Sequence, residues 1–224
     1  MLPKSIQAGL FASVACASTI PAPSFSFLAS RAAGGTAASQ ILEIAPTSGS
    51  CNGASFPTEC ATNEHAAPFL ISAMSNYGIT SPPEIAAVLS LIAYESGDFK
   101  YNIHHFPGLV AGQGTRNMQM GNYNFLYAKS IPALSSKLSE ITTASSADGL
   151  SDDQMNAILA LVTPDEYTWG SAAWFLTSQC ASARPAIQAG GQAGFQAYMS
   201  CAGTSATSDR LAYWNRANSA LGIS

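Results

Sequence analysis

The chain has 224 residues, of which 47% are hydrophobic and only 10% are charged, and its formal net charge is -4 at pH 7. This length and apolar content allow one domain of ordinary size, or two small ones, with a genuine core. Basic residues are not clustered, so the composition gives no support for a nucleic-acid partner.

Residues 1–17 have the pattern of a secretory signal peptide. Lys4 precedes a short, mostly apolar run, and Ala15-Cys16-Ala17 fits the small-residue cleavage pattern. The run is too short to cross a bilayer, and no later stretch reaches the ~18 to 20 apolar residues that a span requires. We therefore expect a secreted, extracellular protein without membrane association. The alternative is a cytosolic protein whose first helix is apolar.

Cleavage after Ala17 leaves four cysteines, Cys51, Cys60, Cys180 and Cys201. An even number in a secreted chain indicates two disulfides, although four cysteines allow three pairings. We favour the local pairs Cys51–Cys60 and Cys180–Cys201, because each closes a loop that contains Gly, Ala or Ser. The cysteine spacings fit no zinc pattern, and we expect neither a metal nor a cofactor.

Residues 18–48 are rich in Ser, Ala, Pro and Thr and show little periodicity, which is typical of a flexible leader or a pro-segment outside the core. The folded domain is predicted to comprise residues 49–224 and to begin with the first cysteine loop. Helical patterns dominate that part of the chain and no repeat occurs. We predict a mainly α, single helical domain with little or no β-structure.

Helix signals recur along the predicted domain. Residues 98–114 contain two Pro or Gly breaks and are predicted to form an irregular loop with a short β excursion. The predicted helices cover residues 63–77, 81–96, 122–130, 151–162, 163–180, a short stretch around 195–199, and 209–221, with capping boxes at Ser81, Ser151 and Thr163.

The most strongly signalled helix begins at Ser81, where Pro82 suits the first helical position and Glu84 completes a capping box. Gly97 is a natural point for it to end. Its apolar residues recur at helical spacing and form one stripe, at Ile85, Val88, Leu89 and Ile92.

Glu95 lies in the last turn of this helix and flanks its apolar stripe. The negative end of the helix dipole and partial burial both disfavour a carboxylate there. We therefore expect Glu95 to keep its proton near neutral pH, as a general acid must. The alternative is a glutamate at the rim of a helix end with no chemical role.

Several segments resemble one enzyme family. Residues 93–99, AYESGDF, are similar to a segment A-H-E-S-G-G-F, and the residues 76–80 before them, NYGIT, are similar to its lead-in. Further similar segments are Gly112-Gln113-Gly114 with Gln119, Asn122 and Tyr123, then SAAWFLT at 171–177, Cys201-Ala202-Gly203, and Asp209-Arg210 with Tyr213. Together they resemble the family 19 glycoside hydrolases, the chitinase and phage-endolysin group of the lysozyme-like superfamily, collinearly from about residue 63 to the end.

The resemblance implies a lysozyme-like fold that binds and cleaves a β-1,4-linked N-acetylglucosamine polymer, chitin or peptidoglycan. It implies that Glu95 is the general acid and that Arg210 lies near it. The residues expected to contact the polysaccharide are Tyr101, His104, Gln119, Asn122, Tyr123 and Arg210. We expect the protein to act as a monomer.

The family's second carboxylate has no direct counterpart, because residues 99–118 contain neither Asp nor Glu. Asp98, three residues after Glu95, is the nearest acid and is our candidate for the second catalytic group. The alternatives are a remote acid such as Asp165 or Glu166, catalysis by one acid, or loss of hydrolysis. Two rival functions follow: a non-catalytic glycan-binding protein, and a secreted interaction protein built on a helical scaffold.

Three other features have structural interpretations. The adjacent His104 and His105 point in opposite directions if the segment is extended, so one of them is expected in the cleft wall and neither in a metal site. Arg116 is expected to be an exposed loop arginine, and the alternative is a contact with the substrate. Trp169 and Trp174 occupy helical positions and are expected in the core.

Overall fold

The computed structural model describes residues 35–223, and helices dominate this part of the chain. Strand pairing there is confined to two isolated bridges, Ile103–Gly114 and Gly114–Gln119. The prediction of a mainly α single domain with little β-structure is confirmed. The helices are α1 (Ala37–Ile44), α2 (Asn63–Asn76), α3 (Pro82–Glu95), α4 (Gly121–Ser130), α5 (Ser135–Ile141), α6 (Asp152–Val162), α7 (Asp165–Thr168), α8 (Ser171–Ser178), α9 (Arg184–Gln188), α10 (Gly191–Cys201) and α11 (Ser208–Leu221), with 3-10 turns at Pro132–Leu134 and Ala181–Ala183.

Helix α3 is the centre of the fold and packs against α11, α8 and α9. Every residue from 84 to 93 is buried, so the helix is enclosed on all sides rather than along the single predicted stripe. Ser81 caps it by accepting from the Glu84 N–H at 3.4 Å. The expected reciprocal bond is absent, because the Glu84 carboxylate instead pairs with Arg184 Nε at 2.6 Å and accepts from Gln188 at 3.0 Å.

The predicted flexible leader was expected to extend to residue 48, but residues Ala37–Ile44 form helix α1. Thr36 caps the helix by accepting from the Ser39 N–H, and the helix packs against α2 and α11. Ile41 and Ile44 are each only 1% exposed, so they belong to the core. The prediction relied on the Ser/Ala-rich composition of this segment and overlooked these two isoleucines, which are three residues apart and lie on one helix face. The predicted signal peptide and the rest of the leader lie outside the described residues.

The helix predicted over residues 163–180 is broken in two. Pro164 lies at the N-cap of α7 and Thr163 makes no cap, so the predicted capping box does not form. The break falls at Trp169 and Gly170, before α8 begins at Ser171. Both predicted core tryptophans are buried, with Trp169 1% and Trp174 5% exposed.

Two disulfides are present, Cys51–Cys60 and Cys180–Cys201, which are the pairs favoured from the sequence. The second joins the chain after α8 to the end of α10. Within residues 35–223, every helix falls short of the length and apolar content needed to cross a membrane.

The packing of α1 generates a stability prediction. Ile41→Ala removes a buried side chain and should lower the free energy of unfolding by about 2–5 kcal/mol. Leu42→Ala is the matched control, since Leu42 is 38% exposed and its truncation should change stability by less than about 0.5 kcal/mol. Urea denaturation followed by circular dichroism measures both. Equal midpoints for the two variants would show that α1 is not part of the core.

Candidate functional site

The chain leaves α3 through a turn of unusual backbone conformation. Gly97, Asp98 and Phe99 all have positive φ, at 55°, 56° and 68°. Two further non-glycine residues of this kind, Thr115 at 63° and Met118 at 48°, lie in the segment that faces the turn. Such conformations cost on the order of 1–3 kcal/mol each and tend to occur at functional sites. Of the four non-glycine examples, Asp98, Phe99 and Thr115 are buried, and Met118 lines the groove beside the turn.

Asp98 is held in this turn by three donors. One carboxylate oxygen accepts from the Thr47 N–H at 2.8 Å and the Thr47 hydroxyl at 2.7 Å, and the other accepts from the Tyr213 hydroxyl at 2.8 Å. The residue is 3% exposed. The helix ends before Asp98, so Asp98 and Glu95 do not share a helix surface as expected. Asp98 therefore holds chain segments together, and the structure does not bring it into the groove as a second acid.

Arg116 supports the facing segment from inside. Its guanidinium donates to the backbone oxygens of Phe99 and Tyr101, each at 3.0 Å, and lies 4.4 Å from the centre of the Trp169 ring. Burial lowers the pKa of Arg116 to about 10, while the charges of Asp165 and Glu59 act in the opposite direction. Arg116 is 3% exposed, so the prediction that it is an exposed loop residue is wrong.

The groove consists of two adjoining cavities that share Glu95, Gln113 and Met118. We call them the amide chamber, of about 380 Å³, and the aromatic chamber, of about 330 Å³. Residues that line the amide chamber alone include Asn117, Gln119, Tyr123, Phe175, Thr204 and Arg210. Residues that line the aromatic chamber alone include Tyr94, Tyr101, His104, His105 and Phe106.

Glu95 lies between the chambers and pairs with Arg210, whose Nη2 donates to Oε1 at 2.5 Å. Burial raises the pKa of the Glu95 carboxyl above its usual value, and the charge of Arg210 opposes that rise. Arg210 also stacks on Tyr94, with 4.3 Å between the guanidinium carbon and the ring centre. The centre of the groove is thus a partly buried ion pair, and Arg210 lies near Glu95, as the family resemblance implied.

The wall of the amide chamber is set by a buried amide network. Gln119 donates to the Asn124 carbonyl at 2.8 Å, and Asn124 donates to the backbone oxygens of Gly112 at 2.8 Å and Gln119 at 3.2 Å. Asn117 adds a bond to Gln119 at 3.2 Å. Gln119 and Tyr123 line the chamber as predicted, but Asn122 is exposed and lies outside it. The asparagine of α4 that joins the amide network is Asn124, two positions further along the helix.

The loop closed by the Cys51–Cys60 disulfide packs against the aromatic chamber and stabilises it. Glu59 accepts from the backbone N–H groups of Asn102 and Ile103 at 2.7 and 2.9 Å and contacts His105 Nε2 at 2.7 Å. The His105 ring also stacks on Phe56 with centres 3.6 Å apart. Tyr101 and His104 both line the chamber, as expected. His104 Nδ1 is buried and finds no hydrogen-bond partner among the described residues.

The remote acids that were considered as second catalytic groups lie elsewhere. Asp165 and Glu166 line a different cavity together with Phe69 and Tyr77. Among residues 35–223, no group of three or more His, Cys, Asp or Glu side chains is placed to hold a metal ion. Among the residues that line the groove, the charged partner of Glu95 is Arg210. Those residues include no second carboxylate.

Sequence reasoning missed Asn117, Asn124 and Glu59, which shape the groove. Asn117 and Asn124 are buried amides in a Gly-rich segment, and a buried amide needs partners that only the folded chain supplies. The sole local signal was the density of amides between residues 113 and 124. Glu59 acts from a segment more than forty residues away, as its 43-residue separation from Asn102 shows.

Comparison with known proteins gives one informative similarity. A bifunctional dioxygenase (DOX)–epoxy alcohol synthase (EAS) of Fusarium oxysporum (strain Fo5176) is 49% identical over 160 residues, which is 70% of this chain and 12% of that protein. No family model matches the chain. No solved structure matches it.

These comparisons overturn the family and the activity expected from the sequence. The similar protein is named as a dioxygenase and synthase, and no family model, that of a glycoside hydrolase included, matches the chain. The predicted family 19 glycoside hydrolase membership and the predicted cleavage of chitin or peptidoglycan are therefore wrong. The segments that suggested the family are short, and in this structure they build a helix end, an amide network and a buried ion pair.

The ion pair at the groove centre generates a pH prediction. Arg210→Met removes the positive charge that lowers the pKa of Glu95, so that pKa should rise further. A folded-state pKa above the unfolded value favours folding at low pH, and this contribution is lost as the pH rises through the raised value. The variant should therefore lose more stability than the wild type as the pH rises above about 4.5.

Carbon-13 NMR titration of the glutamate side-chain carboxyls measures the shift directly. Arg216→Met is the matched control, because it removes a cation from the same helix but one that contacts Tyr213 instead of Glu95. An unchanged Glu95 pKa in Arg210→Met, or an equal rise in Arg216→Met, would contradict the assigned ion pair.

Proposed function

We propose that this protein is a secreted, monomeric binding module whose groove around Glu95 holds an extended, uncharged, hydrogen-bonding polymer, and that the polymer is a polysaccharide. The observation that carries this proposal is the continuity of the groove, since the two chambers meet at Glu95, Gln113 and Met118. A ligand that fills both must be elongated. No cleavage of the polymer is proposed.

The groups that line the groove support a polyhydroxylated ligand. The amide chamber is lined by Gln113, Asn117 and Gln119, whose side-chain nitrogens each donate one hydrogen bond within the protein and have a second N–H for a ligand. The aromatic chamber presents Tyr101 and His104, which combine a flat apolar face with a polar atom. Sugars have both hydroxyl groups and apolar ring faces, so they match this mixture.

The charge balance of the groove supports an uncharged ligand. Glu95 and Arg210 neutralise each other at the centre through a 2.5 Å contact. Both are largely covered, with side chains 20% and 12% exposed, so neither is free to pair with an external charge without losing its partner. A neutral chain can hydrogen bond across this pair and leave it intact.

Secretion is supported by the two disulfides, since such bonds persist in oxidising compartments. The pattern of residues 1–17 agrees with export. Both observations also suit a chain that meets polysaccharide outside the cell.

The similarity to the Fusarium protein favours a second candidate, that the chain takes part in dioxygenase or epoxy alcohol synthase activity. The matched segment is 12% of that protein, and the name of that protein includes both activities. We propose that the segment is an accessory binding module there as well. Excising it from the Fusarium protein should leave both activities measurable, and loss of either activity from a still-folded protein would favour the second candidate.

Binding in the groove is tested with Tyr123→Ala. Tyr123 lines the amide chamber, and truncating such an aromatic anchor should cost about 1.4 kcal/mol or more, which is a tenfold loss of affinity. Asn122→Ala is the matched control, because the neighbouring Asn122 is exposed and outside the groove. Isothermal titration calorimetry with soluble chitin oligomers and other neutral oligosaccharides measures both affinities.

The wild type and Asn122→Ala should bind at least one of these oligosaccharides alike, and Tyr123→Ala should bind it weakly. Absence of binding by the wild type to every neutral oligosaccharide tested would refute the proposal. Equal affinity of all three proteins would move the binding site away from the groove.

A further inference from the structure

A second cavity lies away from the groove, between the outer face of α2, the end of α4 and the α7–α8 break. Its volume is about 300 Å³. Phe69, Tyr77 and Tyr167 contribute partly exposed rings, and the buried Trp169 and Tyr127 complete the wall. We call it the aromatic cleft. It shares no lining residue with the groove chambers.

The acidic side chains of the aromatic cleft are Asp165 and Glu166, and neither Lys nor Arg lines it. Asp165 is fixed in place, since it accepts from the Trp169 indole N–H at 2.7 Å and contacts His65 Nε2 at 2.7 Å. His65 is a partner that is charged only when protonated, and Arg116, which lies over the Trp169 ring, is 3% exposed and does not line the cleft. The accessible charge of the cleft is therefore negative.

Gly170 forms part of the cleft floor and keeps the cavity open. Its φ of -86° is ordinary, so the backbone conformation does not require glycine. A Cβ atom there would lie 2.9 Å from the Tyr127 hydroxyl oxygen and 3.3 Å from a Tyr77 ring carbon. The absence of a side chain is thus required by the close approach of two tyrosines that line the cleft.

We propose that the aromatic cleft binds an organic cation, with an alkylammonium group held against the aromatic faces and beside the Asp165 and Glu166 carboxylates. Ring faces carry negative partial charge and attract such groups within about 6 Å. Carboxylates at the rim add attraction that salt weakens. This site goes beyond the polysaccharide groove and does not depend on it.

The probe is choline, and its neutral carbon analogue 3,3-dimethyl-1-butanol is the control ligand. The indole N–H resonances in nitrogen-15 NMR spectra report the location, because Trp169 is one of only three tryptophans in the chain. Trp169→Phe assigns its resonance. Choline should shift the Trp169 signal saturably, and the neutral analogue should bind about tenfold more weakly.

Two variants test the wall and the rim. Tyr167→Ala should weaken choline binding about tenfold, and Glu166→Gln should weaken it less and reduce its salt dependence. Glu140→Gln is the matched control, since Glu140 is exposed on α5 and outside the cleft. Circular dichroism melting shows whether each variant is folded.

The proposal is overturned if choline produces no saturable shift of the Trp169 signal. It is equally overturned if the neutral analogue binds as tightly as choline, which would make the cleft merely apolar. Unchanged choline affinity in a folded Tyr167→Ala variant would place the cation elsewhere.

Discussion

The structure depends on how the Asp98 carboxylate is satisfied at the end of α3. It joins three distant parts of the chain, since its oxygens accept from Thr47 and Tyr213 while its own backbone adopts a positive φ of 56°. A carboxylate that is 3% exposed would be costly without such donors. These bonds hold the segment after α1 and the helix α11 against the central helix, and α11 carries Arg210 to Glu95.

The groove follows from that arrangement. Because α11 is fixed against α3, Arg210 reaches Glu95 and stacks on Tyr94, and the two chambers open on either side of the pair. Arg116 ties the facing segment to the same turn by donating to the Phe99 backbone oxygen at 3.0 Å. Met118, one of the residues with a positive φ, lines both chambers. The aromatic cleft differs from the groove in its charge, because Asp165 and Glu166 line it and no arginine or lysine does.

Local signals predicted much of the fold, because caps and helical periodicity are encoded within a few residues. The capped start of α3, the Ser151 capping box and both disulfide pairs were predicted in this way. Long-range contacts could not be predicted from local patterns. The burial of Ile41 depends on the packing of α1 against α2 and α11, and the inward orientation of Arg116 depends on Phe99, Tyr101 and Trp169. The resemblance to glycoside hydrolases misled for a related reason, since short matching segments reflected a helix end and its packing, and the expected second carboxylate, Asp98, is instead bound to Thr47 and Tyr213.

The central claim is that the groove around Glu95 binds a neutral, extended ligand across both chambers. The most direct test is backbone amide NMR mapping of the full chain during titration with a neutral oligosaccharide series of increasing length. Saturable shifts should appear around Glu95, Gln113 and Gln119 with short oligomers and extend to Tyr101 and His104 only with longer ones. Shifts confined to other surfaces, or none at any length, would contradict the claim.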